Sequence, residues 1–175
     1  LWERPAEIEP APTVLFLSVT PSALVISGSG TGVYRLYAHS PVDGSRLWKA
    51  DHPWLSDNHS GHMQHPVLVA DTVYLEPHAY DLMTGTRHPG SIGRHEGCAT
   101  YAGTQNALIY RGQARRVAMW DMKTGAVSSW LNLRPSCWLS TIPGNGLLLA
   151  PEGGAGCSCG NWLETSLGFA PIALD

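Results

Sequence analysis

Charge is scarce in this chain. Only 14% of its 175 residues are Asp, Glu, Lys or Arg, against about a quarter in an ordinary globular domain. Basic residues form no run, and the formal net charge is −3, which leaves no electrostatic grip for nucleic acid or an anionic membrane surface. Long apolar stretches are missing too. None approaches the roughly 18 residues of a membrane-spanning helix, and no basic segment leads into an apolar core as in a secretory leader. The chain opens on Leu1 rather than methionine, so a longer parent or a removed leader is expected. No segment holds the i, i+3, i+4, i+7 apolar pattern over three turns, so helices are not expected. There is no C-x-x-C pair for zinc or haem, no glycine-rich phosphate cradle and no G-x-S-x-G elbow. These absences argue against an enzyme confined to these residues.

What is present is a beat. Gly44, Gly85 and Gly125 each close a turn, in Val42-Asp43-Gly44, Met83-Thr84-Gly85 and Lys123-Thr124-Gly125, and stand 41 and then 40 residues apart. Similar tags precede the second and third turns, Ala79-Tyr80-Asp81-Leu82 and Met119-Trp120-Asp121-Met122. Trp48 and Trp130 follow the first and third. A period near 40 residues, made of short apolar runs and glycine turns, predicts stacked four-stranded units. With hydrophobic residues at 43%, Gly 19 and Pro 13, the reading is an all-β fold: a β-propeller arc of about four four-stranded antiparallel blades. Residues 1–12, with Pro5, Pro10 and Pro12, read as a linker or incoming connection. The blades fall at about 13–50, 63–90, 98–131 and 137–175, and the last lacks a Thr-Gly turn. An open repeat array leaves its end faces bare, so the arc is expected to be part of a larger propeller or a subunit completed by another chain.

The Asp-x-x-Thr-Gly tags at Asp81–Gly85 and Asp121–Gly125, with Trp130 five residues after the second, resemble the blade signature of pyrroloquinoline-quinone-type, or quinoprotein-like, β-propeller repeat proteins. Leu47-Trp48 after Asp43-Gly44 is a weaker copy. In this reading the Asp caps the turn's own amides, the Gly takes positive φ, and the Trp lies flat between neighbouring blades. Asp81, Gly85, Asp121, Gly125, Trp48 and Trp130 are then architecture. Asn58–Pro66, Arg134–Trp138 and Gly156–Cys159 are similar to segments of secreted bacterial multi-domain proteins carrying such propellers. The resemblance implies fold and compartment, not an activity.

Four positions could ligate a metal: His59, His62, Met63 and His65. Imidazole with thioether suits copper, and imidazoles alone suit zinc. They converge only if residues 59–62 form a loop, because residues 62 and 65 of a strand point to opposite faces. The alternative is a solvated loop. Cys98, Cys137, Cys157 and Cys159 are even in number, which with low charge and seven Trp suggests disulfides in an oxidising compartment. Cys98 and Cys137 each lie eight residues before an Asn, Asn106 and Asn145, and Met63 lies eight before Asp71, so the three are equivalent positions on successive blades. A Cys98–Cys137 bridge, or bridges to the Cys157–Cys159 segment, fit equally; thiolate metal ligation and free thiols remain alternatives. Quinone-dependent dehydrogenases of this fold hold their cofactor with calcium and a disulfide between consecutive cysteines; here Glu96 could ligate a cation or be a solvated loop carboxylate, and no two cysteines are adjacent, so quinone binding by this chain alone is not expected. Arg111, Arg115 and Arg116 form the one basic cluster, an exposed loop or a site for an anion or partner.

The expected function is therefore a non-catalytic binding or scaffolding module of a secreted or periplasmic protein, engaging the remaining blades, a protein or a glycan. The rival is a subunit or fragment of a quinone- or metal-dependent oxidoreductase with its site near His62, His65, Glu96 and Cys98. Neither membrane insertion nor nucleic-acid binding is expected.

Overall fold

The computed structural model describes residues 2–5, 8, 14–30, 32–53, 65–97, 100–130, 133, 141–151 and 166–171. It forms two compact units, Leu1–Ser91 and Ile92–Asp175. Each contains two antiparallel sheets. Among the described residues there is no α-helix, only a short 3-10 turn at Gln113–Arg115.

The first sheet of unit one runs β1 (Val14–Val19), β2 (Leu24–Gly30), β3 (Val33–His39) and β4 (Arg46–His52), neighbours in space as in sequence. Its strands are rich in β-branched and aromatic residues, which suit a pleated surface. Val25, Leu36, Ala38 and Trp48 stand on one face and bury against Val73, Leu75, Tyr80 and Leu82 of the second sheet. On β1, Leu15, Leu17 and Val19 make an exposed apolar row at the sheet edge. The second sheet comprises β5 (Val67–Val69), β6 (Thr72–Leu75) and β7 (His78–Asp81). The weak fourth strand expected after Gly85 is reduced to a single bridge between Tyr80 and Arg87. Pro89 explains the shortfall, since it has no amide to give a ladder.

Unit two repeats the plan. β8 (Ala102–Gly103), β9 (Ala107–Arg111), β10 (Val117–Asp121) and β11 (Val127–Ser129) form four strands, and β12 (Ile142–Gly144), β13 (Leu147–Ala150) and β14 (Leu167–Phe169) form three. Ile109, Val117, Leu133 and Ala150 seal the inner part between them. On its other side β9 is covered by residues 92–97. Tyr101 Oη donates to the Gly93 carbonyl at 2.6 Å, and the Glu96 amide donates to the Arg111 carbonyl at 2.8 Å. Gly93 has no room for a side chain beneath the Tyr110 hydroxyl.

The first hairpins of two sheets share one device. Thr20 Oγ1 accepts from the Ala23 amide at 2.9 Å, and Thr104 Oγ1 accepts from the Ala107 amide at 3.0 Å. A second contact ties hairpin to turn: the Leu82 amide reaches the Asp71 carbonyl at 2.8 Å and the Met122 amide reaches that of Asn106 at 3.0 Å. Asp71 and Asn106 thus hold matching places.

Candidate binding groove

Each glycine turn is a small socket. At the second, Asp81 Oδ1 accepts from the amides of Met83 (3.0 Å) and Thr84 (2.7 Å) and from the Thr84 hydroxyl (2.8 Å). At the third, Asp121 Oδ1 accepts from Lys123 (2.9 Å), Thr124 (2.7 Å) and the Thr124 hydroxyl (2.8 Å). These donors favour the ionised carboxylate and hold both aspartates below the usual carboxylate range, the Thr84 hydroxyl leading at Asp81 and the Thr124 amide at Asp121. In the first turn Ser40 takes the aspartate's place: its Oγ accepts from the Val42 amide at 3.2 Å. The closing bonds are the same in all three, Gly44 to Ser40, Gly85 to Asp81 and Gly125 to Asp121, each 2.9 Å.

An indole fills the first two sockets. Trp48 lies on Gly85 so closely that a Cβ there would fall 2.6 Å from Trp48 Cδ2. Its Nε1 donates to the Leu82 carbonyl at 2.8 Å. Trp2 lies on Gly44 in the same way and donates to the Pro41 carbonyl at 2.9 Å, while Arg4 Nε donates to the Asp43 carbonyl at 2.7 Å. Residues 2–5, part of the segment expected as a linker, are therefore bound to the first sheet's rim. Trp48 is only 8% exposed, and its indole closes the gap between the two sheets of unit one.

Among the described residues of unit two there is no such closure. Trp130 is 37% exposed and stands at the rim of a groove of about 910 Å³ between its two sheets. Ile109, Met119, Leu133 and Leu148 form the groove's walls, and Leu147 and Phe169 share its rim. Pro143-Gly144 and Gly146, from the fourth sheet's first hairpin, complete the lining; the place of a fourth Asp-x-x-Thr-Gly turn, near residue 165, lies outside the described residues. Among the described residues of the lining, Thr104 and Asn106 carry the polar aliphatic side chains, and none is charged. The groove suits an apolar or aromatic group with one or two hydrogen bonds, not an anion.

A polar cluster is buried in unit one. His52 Nε2 lies 2.7 Å from the Glu76 carbonyl and its Nδ1 2.8 Å from Tyr80 Oη. A carbonyl only accepts, so Nε2 carries the proton and Nδ1 accepts from the tyrosine. Burial pushes His52 down to about 4 and Tyr80 up to about 12, which preserves that arrangement near neutrality. Tyr34 is also pushed up to about 12 by burial. His78, 6.0 Å from His52 between ring centroids, is lowered by burial and the nearby Arg87. The unfolded chain therefore takes up these protons first as pH falls. The stability the neutral His52 contributes is whole above pH 6.5 and drains as pH drops toward 4, by about 3 kcal/mol in total. Urea midpoints between pH 7 and pH 4 should record the fall, and His52→Gln should flatten it.

Most of the remaining candidates, His59, His62, Met63 and all four cysteines, lie outside the described residues. His65 stacks edge-on to Phe16, with ring centroids 5.7 Å apart, and its Nδ1 is 3.3 Å from the Pro66 carbonyl. Among the described residues no three His, Cys, Asp or Glu side chains gather at one point. The arginine cluster is divided: Arg111 is fully buried at the end of β9, Arg115 is exposed on the 3-10 turn and Arg116 is half-buried. Arg111 therefore presents no charge at a surface shared with its neighbours, because it is fully buried with Gly97 against its guanidinium. His52 and His78 went unnoticed in the sequence. The available signal was the alternation of His78 with Tyr80, which puts both on one face of a strand.

No protein-family model matches the sequence, and none of the curated proteins does. Solved structures do resemble it. BamB from Moraxella catarrhalis is 16% identical, with a TM-score of 0.56 over 85% of this chain and 45% of that one. The computationally designed Ika4 protein is 12% identical, with a TM-score of 0.57 over 94% and 95%. A europium-containing methanol dehydrogenase is 11% identical, with a TM-score of 0.44 over 73% and 29%. This chain spans under half the length of the Moraxella protein and nearly all of the designed one. The first two are β-propellers, and the sheets described above have that fold.

Proposed function

We propose that the chain is a non-catalytic binding module: a β-propeller segment, of quinoprotein-like type and extracytoplasmic, that docks a protein partner in the groove of unit two. One contrast carries the reading. Two sheets in unit one close on each other through a buried Trp48, whereas among the described residues the corresponding gap in unit two is an open groove rimmed by Trp130, Leu147 and Phe169. A contiguous exposed apolar rim around a concave floor is what partner sites look like, whereas scattered surface apolar residues are not. Aromatic residues at the rim are the type that dominates binding energy at interfaces.

A photo-crosslinker placed at Leu147 should give one discrete adduct with a second protein from the source's extracytoplasmic fraction. Phe169→Glu should weaken that adduct at least tenfold and, being an exposed substitution, change folding stability by under about 0.5 kcal/mol. An absent adduct, or one indifferent to Phe169→Glu, would exclude the groove. Stoichiometric copper, calcium or a quinone chromophore in the purified protein would favour the oxidoreductase reading instead.

A further inference from the structure

Three sockets share one backbone, and no described residue occupies the third. The φ of Gly44, Gly85 and Gly125 is 72°, 69° and 71°. Trp2 and Trp48 occupy the first two, whereas a Cβ built on Gly125 meets no atom of the described residues within 4 Å. The sequence supplies the reason. Trp48 stands four residues after Gly44, but the residue four after Gly85 is Pro89, so the preceding repeat has no indole to give.

We infer that the Asp121–Gly125 turn is a docking seat for a partner chain's extended segment bearing tryptophan with arginine two residues later. The two filled sockets define this chemistry. Each receives an indole face on its glycine and an indole N–H on the carbonyl three residues earlier, Pro41 or Leu82; the counterpart here is the Met122 carbonyl. The first also receives a guanidinium on the carbonyl preceding the glycine, Asp43; the counterpart is that of Thr124. Glycine is required at the seat twice over, by its positive φ and because any side chain would stand where the ring must lie. The seat is separate from the groove and does not depend on the groove's role.

The probe is the pentapeptide Leu-Trp-Glu-Arg-Pro, labelled at its C-terminus and titrated into the intact chain by fluorescence anisotropy. It reproduces residues 1–5, the segment seated on the first turn. One saturable site per chain is expected. Gly125→Asn should weaken it at least tenfold while keeping the fold, because asparagine tolerates positive φ. Replacing the peptide's tryptophan by alanine should do the same. Leu147→Glu, in the groove, should leave binding unchanged. Trp2→Ala should open the first socket and raise the stoichiometry from one to two. No saturable binding, indifference to Gly125→Asn, or loss with Leu147→Glu would overturn the assignment. So would self-association abolished by both Trp2→Ala and Gly125→Asn, which would give the seat to a second copy.

Discussion

Trp48→Ala should lower the folding free energy by about 3–5 kcal/mol, the range for deleting a buried tryptophan. The loss has three sources. The indole leaves a void against Gly85 and between the two sheets of unit one. Its hydrogen bond to the Leu82 carbonyl disappears, and a buried acceptor without its donor costs about 1–3 kcal/mol within that total. Tyr80 and Leu82 lose part of their cover. Trp130→Ala should cost only about 1 kcal/mol, because that ring is 37% exposed at the groove's edge. Thermal and urea unfolding of the two variants would compare them directly. Equal losses would mean that Trp48 does not close unit one.

The second large effect sits on the opposite side of the same contact. Gly85→Ala should cost about 2–5 kcal/mol and Gly125→Ala about 1–2 kcal/mol. Both glycines hold positive φ, 69° and 71°, which costs an L-residue about 1–2 kcal/mol. Only at Gly85 does the new methyl also meet a ring, 2.6 Å from Trp48 Cδ2, and forcing the indole aside adds about 1–3 kcal/mol. The excess at Gly85 should shrink when Trp48→Ala is already present, since one contact cannot be lost twice. Urea unfolding of the four proteins completes that cycle. Equal costs at the two glycines would show that the socket bears no packing load.

The turns were open to reading because their chemistry is local. An Asp that caps its own turn and a Gly that must hold positive φ are fixed by residues within five positions, so Asp81–Gly85 and Asp121–Gly125 stand out in the sequence. The matching places of Asp71 and Asn106 followed from the same spacing. What the sequence hid depends on distant partners. Ser40 replaces aspartate with a hydroxyl, so the first socket looks degenerate although its backbone is the same. Trp2 lies in a proline-rich segment without periodicity, and nothing near it announces a partner 39 positions away. Arg111 ends a run of otherwise apolar residues, and its charge suggested solvent, but the coverage by residues 92–97 could not be foreseen. The groove was the least legible feature. Its walls come from two different sheets, and nothing local in the sequence shows that Ile109, Met119 and Leu148 face one another.

The clasps also impose an order on synthesis. Trp2 bonds 39 residues ahead and Trp48 34 residues ahead. Emerging from the ribosome, each indole must wait for most of another repeat before its seat exists. The first sheet is thus provisional until the second has been translated, and a pause between them would leave Trp48 bare to chaperones.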